Sequence, residues 1–179
     1  MSKGRKVIFL DIDGVLQPTW KQDRFNHDMD ELRRVLAAWF DNEEYLEMDK
    51  YDLAAVYFDW DREAVERLRA LCDNFGAEIV ISSAWREYSG LLRLKDYFRI
   101  YDLDRYVTDV TAQIHDLERS RAGEVAHYLA EHPEIEKFVI LDDSYLSYFR
   151  ALFPDHFVEC YPILGEDEYA KAAKLLADP

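Results

Sequence analysis

The sequence predicts a three-layer α/β protein: a parallel sheet with helices on both faces and a small insertion after the first strand. Two observations carry that expectation. Apolar segments rich in β-branched and aromatic residues alternate with stretches of helical periodicity along most of the 179 residues. Parallel strands joined through crossover helices produce that alternation. Two of the apolar segments end abruptly in acids, Asp11-Ile12-Asp13-Gly14 and Asp142-Asp143, and strand carboxyl ends are where open sheets of this class bind ligands.

The elements follow in order. Val7 to Leu10 reads as a buried strand too short to stand without neighbours on both sides. Leu32, Val35, Leu36, Trp39 and Phe40 share one helical face, which predicts an amphipathic helix from about Met29. The acidic, aperiodic DNEEYLEMDKYD reads as a loop, and Ala54 to Trp60 is apolar and ambiguous. Asp61 is placed to cap a helix carrying Ala64, Val65, Leu68, Leu71, Cys72 and Phe75 on one face, with Gly76 at its end. Ala77 to Ile81 is the second strand. A helical stretch from about Trp85 to Phe98 leads to a short strand around Tyr106 to Val110. A helix then begins near Arg121 and ends before Pro133. Strands follow at Phe138 to Leu141 and Phe157 to Tyr161, with a closing helix from Glu166 to Ala177. All 179 residues are expected to form one domain, with a candidate cap insertion at 17–60.

Composition narrows the function classes. At 49% hydrophobic and 15% aromatic residues, wholesale disorder is excluded. A net charge of −15 weighs against extended, non-specific binding to nucleic acid or anionic lipid. Cys72 and Cys160 form no motif and are expected as reduced thiols. Lys3, Arg5 and Lys6 precede an apolar run too short for a signal peptide, and no membrane span is present, so the expected compartment is the cytoplasm. His27, His115, His127, His132 and His156 show no metal-ligand spacing with one another.

The first strand's end carries the strongest chemical signal. Alternation points Asp11 and Asp13 to one side, and two buried carboxylates there require a cation or hydrogen-bond donors. Gly14 permits a turn that a Cβ would oppose and leaves room for a ligand. The plain alternative is an Asp-Gly turn with surface acids.

Together with AEIVISSAWR and KFVILDDS, the segment KVIFLDIDGVL resembles the motifs of the haloacid dehalogenase (HAD) superfamily, chiefly magnesium-dependent phosphohydrolases with a catalytic aspartate. The Ser-Ser-Ala-Trp-Arg variant further resembles the small HAD domains of predicted RNA-repair proteins. These motifs run from Lys6 to about Ser144, and the segment from Gln17 to Trp60 lies outside them. The resemblance implies a Rossmann-like, HAD-like sheet and a reaction through an aspartyl-phosphate. By the same resemblance Asp11 is the nucleophile, and Asp13 is the proton carrier that also lends its backbone carbonyl to Mg²⁺. Asp142 completes the Mg²⁺ site with Asp11; Asp143 joins them or caps the following turn. Ser82 donates to a phosphoryl oxygen. Ser83 is a second candidate for substrate contact, with helix capping as its alternative. The third-motif cation falls on Arg121, with Arg119 and Lys137 as alternatives.

Five further residues are weighed as substrate contacts on their own chemistry. Arg86 is placed to bind a second anionic group or to form an internal ion pair. Trp20 closely follows the catalytic loop and is placed to stack on a base or sugar ring, and Lys21 and Arg24 are the nearest cations to that loop. Trp85 is expected to pack against a helix start or to stack on substrate. The reading is therefore a Mg²⁺-dependent phosphomonoester hydrolase. Its substrate is a small phosphorylated metabolite or nucleotide, or a nucleic-acid phosphate end. The alternative is a catalytically silent binding or regulatory module on the same fold.

Overall fold

The computed structural model describes residues 4–114 and 121–178. Among them five strands, β1 (Arg5–Leu10), β2 (Ala77–Ile81), β3 (Val107–Val110), β4 (Ile135–Asp142) and β5 (Phe157–Glu159), form one sheet in the order β3-β2-β1-β4-β5. Every pairing is parallel. The helices are α1 (Met29–Phe40), α2 (Glu44–Glu47), α3 (Lys50–Ala54), α4 (Arg62–Phe75), α5 (Leu91–Arg99), α6 (Arg121–Glu131), α7 (Leu146–Leu152) and α8 (Glu166–Leu176).

Side-chain alternation along β1 explains the three layers. Ile8 and Leu10 join a core with Leu36, Leu68, Leu94, Phe98 and Leu176, drawn from α1, α4, α5 and α8. Val7 and Phe9 turn the other way, into a second core with Ala122, Val125 and Tyr128 of α6 and Phe149 of α7. A strand buried on both faces must read as a continuous apolar run, as this one does.

Local chemistry sets the helix ends. Asp28 accepts from the backbone N–H groups of Asp30 and Glu31 to start α1, and Asp61 accepts from that of Ala64 at 2.9 Å to start α4. Each such cap is worth about 1 kcal/mol. Gly76, at φ 65°, closes α4 in the left-handed conformation that costs glycine least.

Three sequence expectations change, and one helix is added. DNEEYLEMDKYD is not a loop: it holds α2 and the start of α3, because Tyr45 and Met48 are buried, as is Leu53 just beyond, and Asp49 caps α3 through the N–H groups of Tyr51 and Asp52. The ambiguous Ala54–Trp60 stretch continues α3 as a π-type turn over Ala55–Asp59. The helix expected from Trp85 begins as a 3-10 turn over Ala84–Glu87, and α5 starts only after Gly90. α7 went unread, since seven residues around a single buried Phe149 give no usable period.

The insertion packs toward α5. Trp60 lies edge-on to Phe98 at 5.0 Å and stacks on Tyr101 at 5.8 Å, while the Tyr45 hydroxyl donates to the Asp96 carbonyl at 2.8 Å. Cys72 and Cys160 are buried free thiols. No helix among the described residues is long and apolar enough to cross a membrane.

Candidate active site

Phe9 is in register with Val80 on one side and Ile140 on the other, all three in the core beneath α6. Two residues further along each strand, the same face presents Asp11, Ser82 and Asp142. The ladder still holds there: the N–H of Asp11 donates to Leu141 at 2.9 Å and that of Ser82 to Leu10 at 2.9 Å. The three side chains therefore stand side by side because their strands are neighbours. All three are buried.

Arg121, the first residue of α6, reaches over this row. Its Nη1 lies 2.5 Å from Asp11 Oδ2 and 2.9 Å from Asp142 Oδ2. Burial opposes the arginine's charge, but Asp11 and Asp142 outweigh it and hold the guanidinium protonated. Asp11 Oδ1 accepts from the N–H of Ile12 at 2.8 Å, and Asp142 Oδ1 from the N–H and hydroxyl of Ser144 at 2.8 and 3.0 Å. Asp143 closes over the loop. Gly14 has φ 75°, and a Cβ on it would fall 2.1 Å from Asp143 Oδ2, so the carboxylate occupies space that only glycine leaves.

One carboxylate oxygen from each of Asp11, Asp142 and Asp143 lies within 4.8 Å of the other two. Three carboxylates against one guanidinium leave two surplus negative charges when all are ionised. Burial first, and then the charge of Asp11, push the Asp142 carboxyl well above the usual carboxylate range; the same two causes raise Asp143. Hard oxygen ligands with a charge deficit suit Mg²⁺, which needs only a few carboxylates and fills its remaining positions with water and substrate oxygen. The residues present fit that ion.

Asp13 is half-buried, and its Oδ2 accepts from the indole Nε1–H of Trp85 at 3.0 Å. Burial raises its pKa most; the Trp85 hydrogen bond opposes that shift, and the charge of Asp11 adds to it. A carboxyl raised in this way holds a proton closer to neutral pH, as general-acid chemistry requires. Ser82 Oγ is buried with no hydrogen-bond partner, a hydroxyl lacking an acceptor beside the acids.

The remaining candidates have these contacts. Ser83 accepts from the N–H of Trp85 at 3.4 Å and caps the 3-10 turn, the capping alternative of its two sequence readings. Arg86 takes the ion-pair alternative: it donates to the carbonyls of Ser82, Ser83 and Thr111 and pairs with Glu124 on α6. Asp143 does not cap α7, whose N-cap position is Tyr145 without a side-chain cap. Lys137 donates to the Ala177 carbonyl from the early part of β4, far along the strand from the acids at its end. Arg119 and His115 lie outside the described residues. Trp20 sits in a turn and is 63% exposed. Arg24 pairs with the fully buried Asp59 at 3.0 Å and is not free to recruit an anion. Sequence reasoning missed the Trp85–Asp13 hydrogen bond and the approach of Asp143 to Gly14. The sole signal for either was a tryptophan three residues after the second strand's terminal serine, and a glycine after two acids.

Residues 7–168 match the family model described as the HAD domain in Swiss Army Knife RNA repair proteins. No curated protein matches the chain. Among solved structures it is similar to a predicted phosphatase from Clostridium acetobutylicum, at 13% identity and a TM-score of 0.46, covering 97% of this chain and 100% of that one. It is also similar to Protein Tyrosine Kinase A (PtkA) of Mycobacterium tuberculosis, at 15% identity and a TM-score of 0.47, covering 88% of this chain and 84% of that one.

Proposed function

The chain belongs to the family of HAD domains in Swiss Army Knife RNA repair proteins, and from that premise we propose that it is a Mg²⁺-dependent phosphomonoester hydrolase working through an aspartyl-phosphate. The observation that carries this reading is the convergence of Asp11, Asp142 and Asp143, the first two paired with the Arg121 guanidinium, next to a buried serine hydroxyl without a partner.

Asp11 is the nucleophile. A carboxylate oxygen of Asp11 forms the new bond to phosphorus as the bond to the leaving oxygen breaks, and Asp13 protonates that oxygen. Asp13 then takes a proton from the water that attacks the aspartyl-phosphate, and inorganic phosphate leaves with Asp11 restored. Ser82 Oγ and Arg121 donate to the equatorial oxygens, where charge is spread in the transition state. The side chains of Asp11, Asp142 and Asp143 and the backbone carbonyl of Asp13 would hold Mg²⁺, which when bound neutralises phosphoryl charge.

The substrate we favour is a phosphate at a nucleic-acid end. RNA repair in the family's description supports it. With a net charge of −15, contact is confined to the terminal nucleotides. That same charge favours the second reading, a small phosphorylated metabolite or nucleotide. The chain acts as one domain, since Leu36 and Leu53 of the insertion share a core cluster with β1. Its buried free thiols fit the cytoplasm.

The test is phosphate release, with Mg²⁺, from 3′- and 5′-phosphorylated oligonucleotides, mononucleotides and nitrophenyl phosphate. Asp11→Asn should lower turnover by about 10³ or more on every substrate with the fold unchanged. A variant that keeps more than about a tenth of the wild-type rate removes the covalent mechanism from this residue. Higher kcat/KM on mononucleotides than on oligonucleotide ends would reverse the choice of substrate.

A further inference from the structure

We propose that Trp85 is a positioning residue for the proton carrier: its indole fixes Oδ2 of Asp13 as a hydrogen-bond acceptor, so that the transferred proton rides on Oδ1. The inference rests on the phosphatase reading above and adds to it the atom that carries the proton. An indole N–H can only donate. In a carboxylic acid the carbonyl-type oxygen is the good acceptor and the hydroxyl oxygen is a poor one. With Trp85 Nε1 at 3.0 Å from Oδ2, the protonated form therefore places its hydrogen on Oδ1. As the phosphorus–oxygen bond breaks, that proton passes to the leaving oxygen, which keeps the bonding pair. In the second step the attacking water returns a proton to Oδ1.

The donor is held by its turn and by two aromatic neighbours. Trp85 lies in the 3-10 turn Ala84–Glu87, and its own backbone N–H donates to the capping Ser83 hydroxyl. Its ring stands edge-on to Tyr97 at 5.6 Å and 85°, and tilted against Trp60 at 6.3 Å. Both neighbours are about 1% exposed, so the wall behind the indole is close-packed. The acid's backbone is fixed separately, by a bridge between Asp13 and Gln17 and by the Gly14 N–H donating to the Gln17 carbonyl at 2.8 Å. On that fixed backbone the indole hydrogen bond sets the direction of the Asp13 carboxylate. One short segment after β2 thus supplies both the Ser82 hydroxyl and the group that orients the acid. Trp60 closes the insertion, so the insertion reaches the proton carrier through this aromatic contact.

Trp85→Phe keeps the ring and removes the donor. Single-turnover phosphoryl transfer should be compared on an alkyl phosphate, which needs its leaving oxygen protonated, and on nitrophenyl phosphate, which does not. The expected result is a loss of about tenfold or more on the alkyl substrate, less than about threefold on the nitrophenyl one, and an unchanged KM. In an Asp13→Asn background the same substitution should add nothing, because its effect runs through Asp13. Equal loss on both substrates, or full additivity with Asp13→Asn, would overturn the positioning role and leave the phosphatase reading intact. If Asp13→Asn itself shows no preference between leaving groups, it is the assignment of Asp13 that fails. The contact also has a readout that needs no tryptophan variant: the Trp85 indole N–H resonance should move in Asp13→Ala, and an unmoved resonance would remove the hydrogen bond.

Discussion

Arg24 pairs with Asp59 at 3.0 Å inside the insertion, and Arg121 pairs with Asp11 at 2.5 Å and Asp142 at 2.9 Å at the carboxyl end of the sheet. Both aspartate sets are buried, and both arginines are mostly covered. The insertion pair balances one charge against one. Its Asp59 Oδ2 makes a charge contact without an aligned hydrogen bond, and the backbone N–H of Arg24 supplies the aligned one to Oδ1 at 3.1 Å. Around Arg121 the count does not close: Asp143 joins the two acids, Asp13 follows two residues on, and Ser82 lacks an acceptor. A buried ion pair by itself says little, because many are structural. A buried surplus of one sign, with a hydroxyl left unbonded, marks a place built for a group that is not protein.

The contrast is broken most sharply by removing one member of each pair. Arg121→Met should cut turnover by about 10² to 10³, since it removes a donor aimed at the transferred group. Asp59→Asn should instead lower stability by about 3 kcal/mol, as it leaves the Arg24 charge without its partner. Turnover of the folded fraction should stay within about threefold. Denaturant melts and initial rates on both variants decide the matter. An Asp59 variant that is stable but inactive would make the insertion pair part of the site.

Removing one of the surplus charges gives the next largest effect. Burial and Asp11 disfavour ionised Asp142, so Asp142→Asn should leave the metal-free protein at pH 8 as stable as wild type or more so. The same variant should lose the Mg²⁺-dependent rise in Tm. In the wild type that rise should be about 5–10 °C at a hundredfold excess over Kd. A retained Mg²⁺ shift would place the ion elsewhere. The smallest effect is expected at Trp20, exposed in its turn: Trp20→Ala should change stability by less than about 0.5 kcal/mol and leave kcat/KM on oligonucleotide ends unchanged. A selective loss on those ends would restore it as a stacking residue.

The sheet and its acidic ends were legible because the signals are local. Val7 to Leu10 is apolar on both faces as a central parallel strand must be, and Asp61 and Gly76 bracket α4 as caps do. The short elements were not legible. α2 and α3 together bury Tyr45 and Leu53 among acids, and no period emerges from so few residues.

The sequence alone determined the succession of the strands and longer helices and the placing of Asp11, Ser82 and Asp142 at strand ends, because side-chain alternation is a property of neighbouring residues. Only the tertiary structure decided which cation meets the acids, that Arg86 is spent on backbone carbonyls and Glu124, and that Trp85 holds Asp13. Those contacts join side chains 21 residues apart for Arg121 and Asp142, and 72 apart for Trp85 and Asp13. Whether such atoms come within 3 Å depends on how helices seat on the sheet, and close packing fixes that across the whole core at once.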